Sequence, residues 1–182
     1  MAGHTRILVL LMVASLLLTS CSLAPYQCTD PLGCLEIPPG SPVRIGAILA
    51  TEGAMRPVGR ACMEIIASII KNKKMVLGHP LELEQYSTDG TPGGAMASAT
   101  EMVSDPALLA VIGPSLSAEG LSATPILSEA GVVSLSPVPD PMTAIKMTNQ
   151  IIAAIVQVSI QRPDHTLIIP RQALWTALDQ SR

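Results

Sequence analysis

The 182-residue sequence contains few aromatic and few charged residues. Phe is absent, Trp175 is the only tryptophan, and aromatic residues make up 2% of the chain. The core must therefore be aliphatic, and platforms for stacking sugars or nucleobases are not expected. Charged residues make up 14%, and the formal net charge is −3. This composition predicts one compact domain and argues against a nucleic-acid binder, because no basic patch is present to attract a phosphate backbone.

Motifs for several kinds of chemistry are also missing. The sequence contains no glycine-rich phosphate-binding loop, no cluster of metal ligands and no pair of acids at a catalytic spacing. We therefore predict no cofactor and no metal, and we expect a binding protein, not an enzyme.

The N-terminus predicts a targeting segment over residues 1–20. His4 and Arg6 form a short basic start, and Ile7–Leu18 is an apolar run too short for a typical membrane span. Small residues then precede Cys21, a pattern that resembles a bacterial lipoprotein signal. The resemblance implies acylation of Cys21 and an exported protein held on a membrane by its lipid. An ordinary secretory signal with an incidental cysteine is the alternative.

Residues 21–42 contain several prolines and predict a tether between the membrane and the folded domain. Cys28 and Cys34 lie within it. An exported chain permits a disulfide between them, and two unpaired thiols are the alternative. Cys62 lies on the apolar face of a predicted helix, which favours a buried structural role.

From Val43 onward, short apolar runs alternate with segments of helical periodicity. The predicted strands, in order, are Val43–Ala50, Pro80–Ser87, Leu108–Ile112 and Val132–Leu135. Each is followed by a turn or by apolar residues at helical spacing. Regular alternation of this kind predicts an α/β fold with three layers, in which helices cover both faces of a mainly parallel sheet.

Polar residues follow the third and fourth predicted strands. Ser115 and Ser117 come after Leu108–Ile112, and the backbone around Val138 follows the fourth strand. Ligands of parallel sheets bind where strands end and helices begin, so these residues mark the candidate site. Pro125 interrupts the third helical segment and predicts a kink or two separate pieces.

Several of these segments, taken together and in order, resemble the first lobe of periplasmic binding proteins of the branched-chain amino-acid type. The similar segments are Arg44–Leu49, Thr51–Gly53 with Gly59, Ala99–Val103, Ala110–Ser117 and Gly131–Pro137. The resemblance implies a lobe that holds a ligand against a second lobe.

The C-terminal part resembles segments that come late in the same family, after the second lobe. They are Thr148–Ile155 and Asp164–Leu174. The resemblance implies a lobe spanning residues 43–182, built from residues 43–141 and a return over 148–182, with the second lobe missing.

The family resemblance also implies how a ligand would be held. A serine after the third strand and backbone amides after the fourth hold the ligand's head group, which here gives Ser115, Ser117, Val138 and Asp140. An N-cap role for Ser117 within its own helix is the alternative. Asp140 stands where the family has a neutral residue, and its carboxylate would repel an anion.

The sequence leaves three alternative functions for this chain. The first is a lipid-anchored substrate-binding protein that delivers an amino acid or related small polar ligand to the permease of an ABC importer, with weak binding because one lobe is missing. The second is a non-transporting remnant or surface domain. The third is a serine hydrolase that uses Ser115, His165 and Asp140, which Gly113–Ser117 suggests by its likeness to a nucleophile elbow.

Overall fold

The computed structural model describes residues 26–136 and 140–180. Within these ranges the chain forms eight strands, five α-helices and a short 3-10 helix at Gly53–Met55. The strands are β1 (Cys34–Ile37), β2 (Val43–Ala50), β3 (Met75–Val76), β4 (His79–Thr88), β5 (Leu108–Ile112), β6 (Val133–Leu135), β7 (Ile160–Gln161) and β8 (Leu167–Pro170). The helices are α1 (Arg56–Lys73), α2 (Pro92–Met102), α3 (Ser117–Glu129), α4 (Pro141–Val158) and α5 (Arg171–Gln180).

The main sheet has five strands in the order β3-β4-β2-β5-β6. Strands β4, β2, β5 and β6 are parallel, and the short β3 is antiparallel to β4. Side chains of β2 alternate between two hydrophobic clusters: Ile45 packs in the cluster that contains α1 and α4 residues, and Ile48 packs in the cluster of α2 and α3. The predicted three-layer arrangement with a mainly parallel sheet is confirmed.

The four predicted strands are all present. β2 and β5 have the predicted bounds, whereas β4 is one residue longer at each end and β6 begins one residue later. Pro125 lies inside one continuous helix, α3. Of the two predicted alternatives, a kink or two separate pieces, the division into two pieces is therefore wrong.

A second sheet joins the two ends of the described chain. Its order is β1-β8-β7, and both pairings are antiparallel. Leu35 and Ile37 of β1 are buried in the same core cluster as Ile169 of β8. Residues 34–37 of the predicted tether are thus part of the fold, because they form an edge strand of this sheet. The Pro-rich composition of residues 21–42 did not indicate a strand.

Further contacts fix the N-terminal segment to the last helix. Cys28 and Cys34 form a disulfide, with their Cα atoms 5.9 Å apart. The Asp30 carboxylate accepts hydrogen bonds from the backbone N–H groups of Gln172 and Ala173, in the first turn of α5. A carboxylate at a helix N-terminus satisfies unpaired donors and complements the helix dipole.

Cys62 is free and buried, as its position on α1 predicted.

Helix α1 lies very close to the end of β2 at Gly59. An ideal Cβ atom placed on Gly59 would lie 1.9 Å from the Ala50 carbonyl oxygen, so only glycine fits between the helix and the strand.

The helices in the described ranges include none with the length and apolar character that crossing a bilayer requires.

Candidate functional site

The carboxyl ends of the parallel strands lie together beside the start of α3. β2 ends at Ala50, β4 at Thr88 and β5 at Ile112, and the turn after β5 leads to Ser117. Gly113 adopts a φ of 117°, and a Cβ atom there would lie 2.0 Å from the Ile48 carbonyl oxygen. Glycine is therefore required for the turn to pass over β2. This edge is where the sequence predicts the site.

Ser115 has a structural contact at this edge. Its side chain is buried, and its Oγ accepts a hydrogen bond from the Ala50 backbone N–H at 3.3 Å. The bond ties the turn after β5 to the end of β2. The Ser115 hydroxyl can still donate one hydrogen bond of its own, but its burial limits its reach.

Ser117 is exposed at the first residue of α3. The N-cap of the helix is Leu116, whose side chain makes no capping hydrogen bond. The alternative role of Ser117 as N-cap is therefore wrong. Because the first backbone N–H groups of a helix have no partner within it, the start of α3 offers donors and a partial positive charge beside the Ser117 hydroxyl.

Two acids that the sequence analysis did not single out lie near this edge. Glu119 in the first turn of α3 is fully buried; its Oε1 accepts a hydrogen bond from the Thr88 hydroxyl, and its Oε2 has no partner among the described residues. Asp89 follows β4 and is exposed, and hydrogen bonds from Thr91 lower its pKa. The site thus combines helix N–H donors with carboxylates. Glu119 had no sequence signal, because a glutamate in the first turn of a helix is common.

Asp140 is the N-cap of α4. Its Oδ1 accepts a hydrogen bond from the Thr143 backbone N–H at 3.0 Å, and its Oδ2 accepts one from the Thr143 hydroxyl. These two bonds lower the pKa of the Asp140 carboxyl. Its main contacts are therefore within the first turn of its own helix. Val138 and Cys21, also predicted as functional positions, lie outside the described residues.

The capping role makes stability depend on pH. We expect Asp140→Ala to lower the melting temperature at pH 7, and Asp140→Asn, which keeps a capping oxygen, to lower it less. Because the pKa is lowered on folding, this stabilisation is present above the ordinary Asp pKa of 3.8 and is lost as the pH falls through the lower folded value. Thermal unfolding from pH 7 to pH 2.5 checks this. A difference between wild type and Asp140→Ala that stays constant over this range would contradict it.

The structure does not bring together the serine and the histidine of the hydrolase alternative. His165 lies in the turn between β7 and β8, where its carbonyl oxygen is 3.1 Å from Nε2 of His79, the first residue of β4. Ser115 contacts Ala50, which pairs with Thr88 at the opposite end of β4. Ten residues of extended strand span roughly 30 Å, so the serine and the histidine lie at opposite ends of the sheet.

The described residues include no group of three or more His, Cys, Asp or Glu placed to hold a metal ion. Ser115 lies in the turn after β5, and Ser117 begins α3 two residues later. This arrangement can bind a small polar group at the start of α3. The helix N–H groups and the Ser117 hydroxyl supply hydrogen-bond donors, and the loop after β4 supplies the Asp89 carboxylate.

Comparison with known proteins gives a family match over most of the fold. Residues 42–153 match the periplasmic binding protein family. No curated protein sequence matches the chain.

Solved structures of ABC-transporter binding proteins resemble about half of the chain. A leucine-binding protein from Thermotoga maritima is 30% identical, with a TM-score of 0.47 over 53% of this chain and 29% of its own. A branched-chain amino acid binding protein from Streptococcus pneumoniae, in complex with isoleucine, is 22% identical, with a TM-score of 0.49 over 53% of this chain and 29% of its own. An amino acid ABC transporter binding protein from Pseudomonas fluorescens is 21% identical, with a TM-score of 0.50 over 54% of this chain and 26% of its own. The chain thus matches less than a third of the length of these structures.

Proposed function

Because the chain belongs to the periplasmic binding protein family, we propose that it is a substrate-binding protein that holds a small polar ligand, such as an amino acid, at the start of α3. The observation that carries the proposal is the exposed Ser117 at a helix N-terminus that has no side-chain cap. Anions bind favourably at such N-termini. The solved structures with the same partial fold include proteins that bind leucine and isoleucine.

An amino acid suits this edge better than a simple anion does. Its carboxylate can accept hydrogen bonds from the N–H groups at the start of α3 and from the Ser117 hydroxyl. Its ammonium group is attracted by Asp89, whose lowered pKa keeps it ionised at neutral pH. A simple anion lacks a positive group that the Asp89 carboxylate could attract.

We propose that this chain is one lobe of a binding protein whose ligand normally lies between two lobes. A single lobe leaves the bound ligand open to water and supplies only part of its contacts. Affinity is therefore low, with a dissociation constant of about 1 mM, equivalent to about 4 kcal/mol. Delivery to an ABC permease, export, and anchoring through lipid on Cys21 complete the proposal.

Binding of leucine, isoleucine and valine to the purified chain tests this function. We expect chemical-shift changes at the start of α3 on titration, and about fivefold weaker binding in Ser117→Ala, because a hydrogen bond worth about 1 kcal/mol is lost. Ser128→Ala is the matched control, since Ser128 is an exposed serine at the far end of the same helix.

Each other outcome has a clear meaning. Low-micromolar binding by the monomer would contradict the single-lobe interpretation. Equal affinities of Ser117→Ala and Ser128→Ala would place the ligand elsewhere. The absence of any binding at ten millimolar would limit the binding free energy to roughly 3 kcal/mol or less. That result would favour a non-transporting domain that keeps the fold.

A further inference from the structure

The free edge of β6 carries backbone groups that no strand pairs with in the described part of the chain. β6 is the last strand of the main sheet. The Gly113 N–H donates to the Leu135 carbonyl oxygen at 2.7 Å, so the backbone polar groups of Leu135 face β5. Since these groups alternate along a strand, the N–H and C=O of Ser134 face the opposite side, at the free edge.

A cavity of about 520 Å³ surrounds this edge, between α3 and α4. Thr124 of α3 forms one wall, Lys146 and Met147 of α4 form the other, and Ser134 and Leu135 lie at the base. The volume is in the range of small-molecule sites in proteins. It is separate from the start of α3, where the proposed amino-acid site lies, because Thr124 is two turns further along that helix.

The cavity offers both hydrogen-bond donors and apolar surface. Thr124, Ser134 and Lys146 make no side-chain hydrogen bond or ion pair with other described residues, so their donors are available to a ligand. Two further lining hydroxyls are already committed: Ser136 donates to the Pro114 carbonyl oxygen, and Thr143 donates to Asp140. Leu135 and Met147 supply apolar surface.

The charge of the lining selects one class of ligand. Lys146 is the only charged residue among those that line the cavity, and no carboxylate lines it. The nearest acid along α4 is Asp140, whose carboxylate is engaged by Thr143. An anionic group is therefore attracted, whereas an ammonium group would meet Lys146 without an acceptor of opposite charge.

We propose that this cavity binds a small organic carboxylate with an apolar body and no ammonium group. The carboxylate binds Lys146 and the Thr124 and Ser134 hydroxyls, and the apolar body contacts Leu135 and Met147. The site is independent of the amino-acid site proposed above. The two differ in charge, because acids lie near the start of α3 and a lysine lines this cavity.

Calorimetric titration of the full chain with 4-methyl-2-oxopentanoate, leucine and 3-methylbutylamine tests the proposal. In a Ser117→Ala background, which weakens the amino-acid site, we expect the oxo acid to bind at least about tenfold more tightly than leucine, and the amine not to bind. Lys146→Gln should weaken binding of the oxo acid about tenfold or more, because a charge-assisted hydrogen bond is lost.

Two variants refine the result. Thr124→Val, which keeps the shape of the side chain and removes the hydroxyl, should weaken binding about fivefold. Lys73→Gln is the control for the loss of one exposed lysine and should leave binding unchanged. No heat from the oxo acid at millimolar concentration, equal affinity for leucine, or unchanged affinity in Lys146→Gln would each overturn the proposal. Failure of Ser117→Ala to weaken leucine binding would contradict the amino-acid site alone, whereas unchanged affinity of the oxo acid in Lys146→Gln would contradict this site alone.

Discussion

Gly59→Ala is expected to lower the free energy of unfolding by about 2 kcal/mol or more, although the same change stabilises most helices. An added Cβ atom would lie 1.9 Å from the Ala50 carbonyl oxygen and 2.5 Å from its carbon. Both are backbone atoms of the central strand β2, so neither can move by changing a rotamer. Overpacking of a core costs about 1–3 kcal/mol, which exceeds the gain of about 1 kcal/mol in helix propensity.

The change should also reach the candidate site. Ala50 donates its backbone N–H to Ser115, so a displaced β2 end moves the turn that leads to Ser117. Urea denaturation measures the stability, and nuclear magnetic resonance of the Ser115 amide reports the turn.

Gly120→Ala is the matched control for this prediction. Gly120 lies in α3, and no atom is within 4 Å of the Cβ atom it would gain. We expect a stabilisation of about 0.5–1 kcal/mol, because glycine is the poorer helix former. Stabilisation by both Gly59→Ala and Gly120→Ala would show that α1 does not lie against β2 as described.

Ile169→Ala is expected to cost about 3 kcal/mol of unfolding free energy. Ile169 is fully buried in β8, pairs with Leu35 of β1, and lies in the core cluster that also contains residues of α1 and α4. Truncating a buried isoleucine removes apolar contacts and leaves a cavity, at a typical cost of about 2–5 kcal/mol.

The comparison with Ile160→Ala makes this measurement specific. Ile160 belongs to β7 in the same small sheet, but 39% of its surface is exposed. Its truncation should cost less than about 1 kcal/mol. Chemical denaturation of both variants would contradict the structure if the two costs were equal and small, because residues 167–170 would then contribute little to the core.

The main sheet was predictable because its signals are local. β5 is a continuous apolar run between turns and β2 is an apolar run interrupted only by Arg44, which is typical of strands buried on both faces. The helices on both faces followed from the alternation, since parallel strands need crossovers. The turn at Gly113 and the serines after it were also predictable, because strand ends are where such sheets place polar residues.

The remaining features depend on contacts that are distant in sequence. β1 pairs with β8 across 130 residues or more, and residues 34–37 alone carry too little pattern to distinguish a short strand from a tether. Helix α3 continues through Pro125, because a proline inside a helix can kink it without ending it. The cap of α4 by Asp140 was not predicted, although the Asp-x-x-Thr spacing before the helix is typical of an N-cap.

The contacts of the first residues with the last helix bring the two ends of the described chain together. Asp30 and Gln180 line the same surface cavity, and Arg171 donates its backbone N–H to the Gly33 carbonyl oxygen at 3.1 Å. Domains whose ends meet tolerate circular permutation and insertion into other chains. A short linker from Gln180 to Tyr26, with new ends opened at the exposed turn around Asp164, should therefore preserve both sheets. It would also turn the fold into a cassette that can be inserted into a host protein.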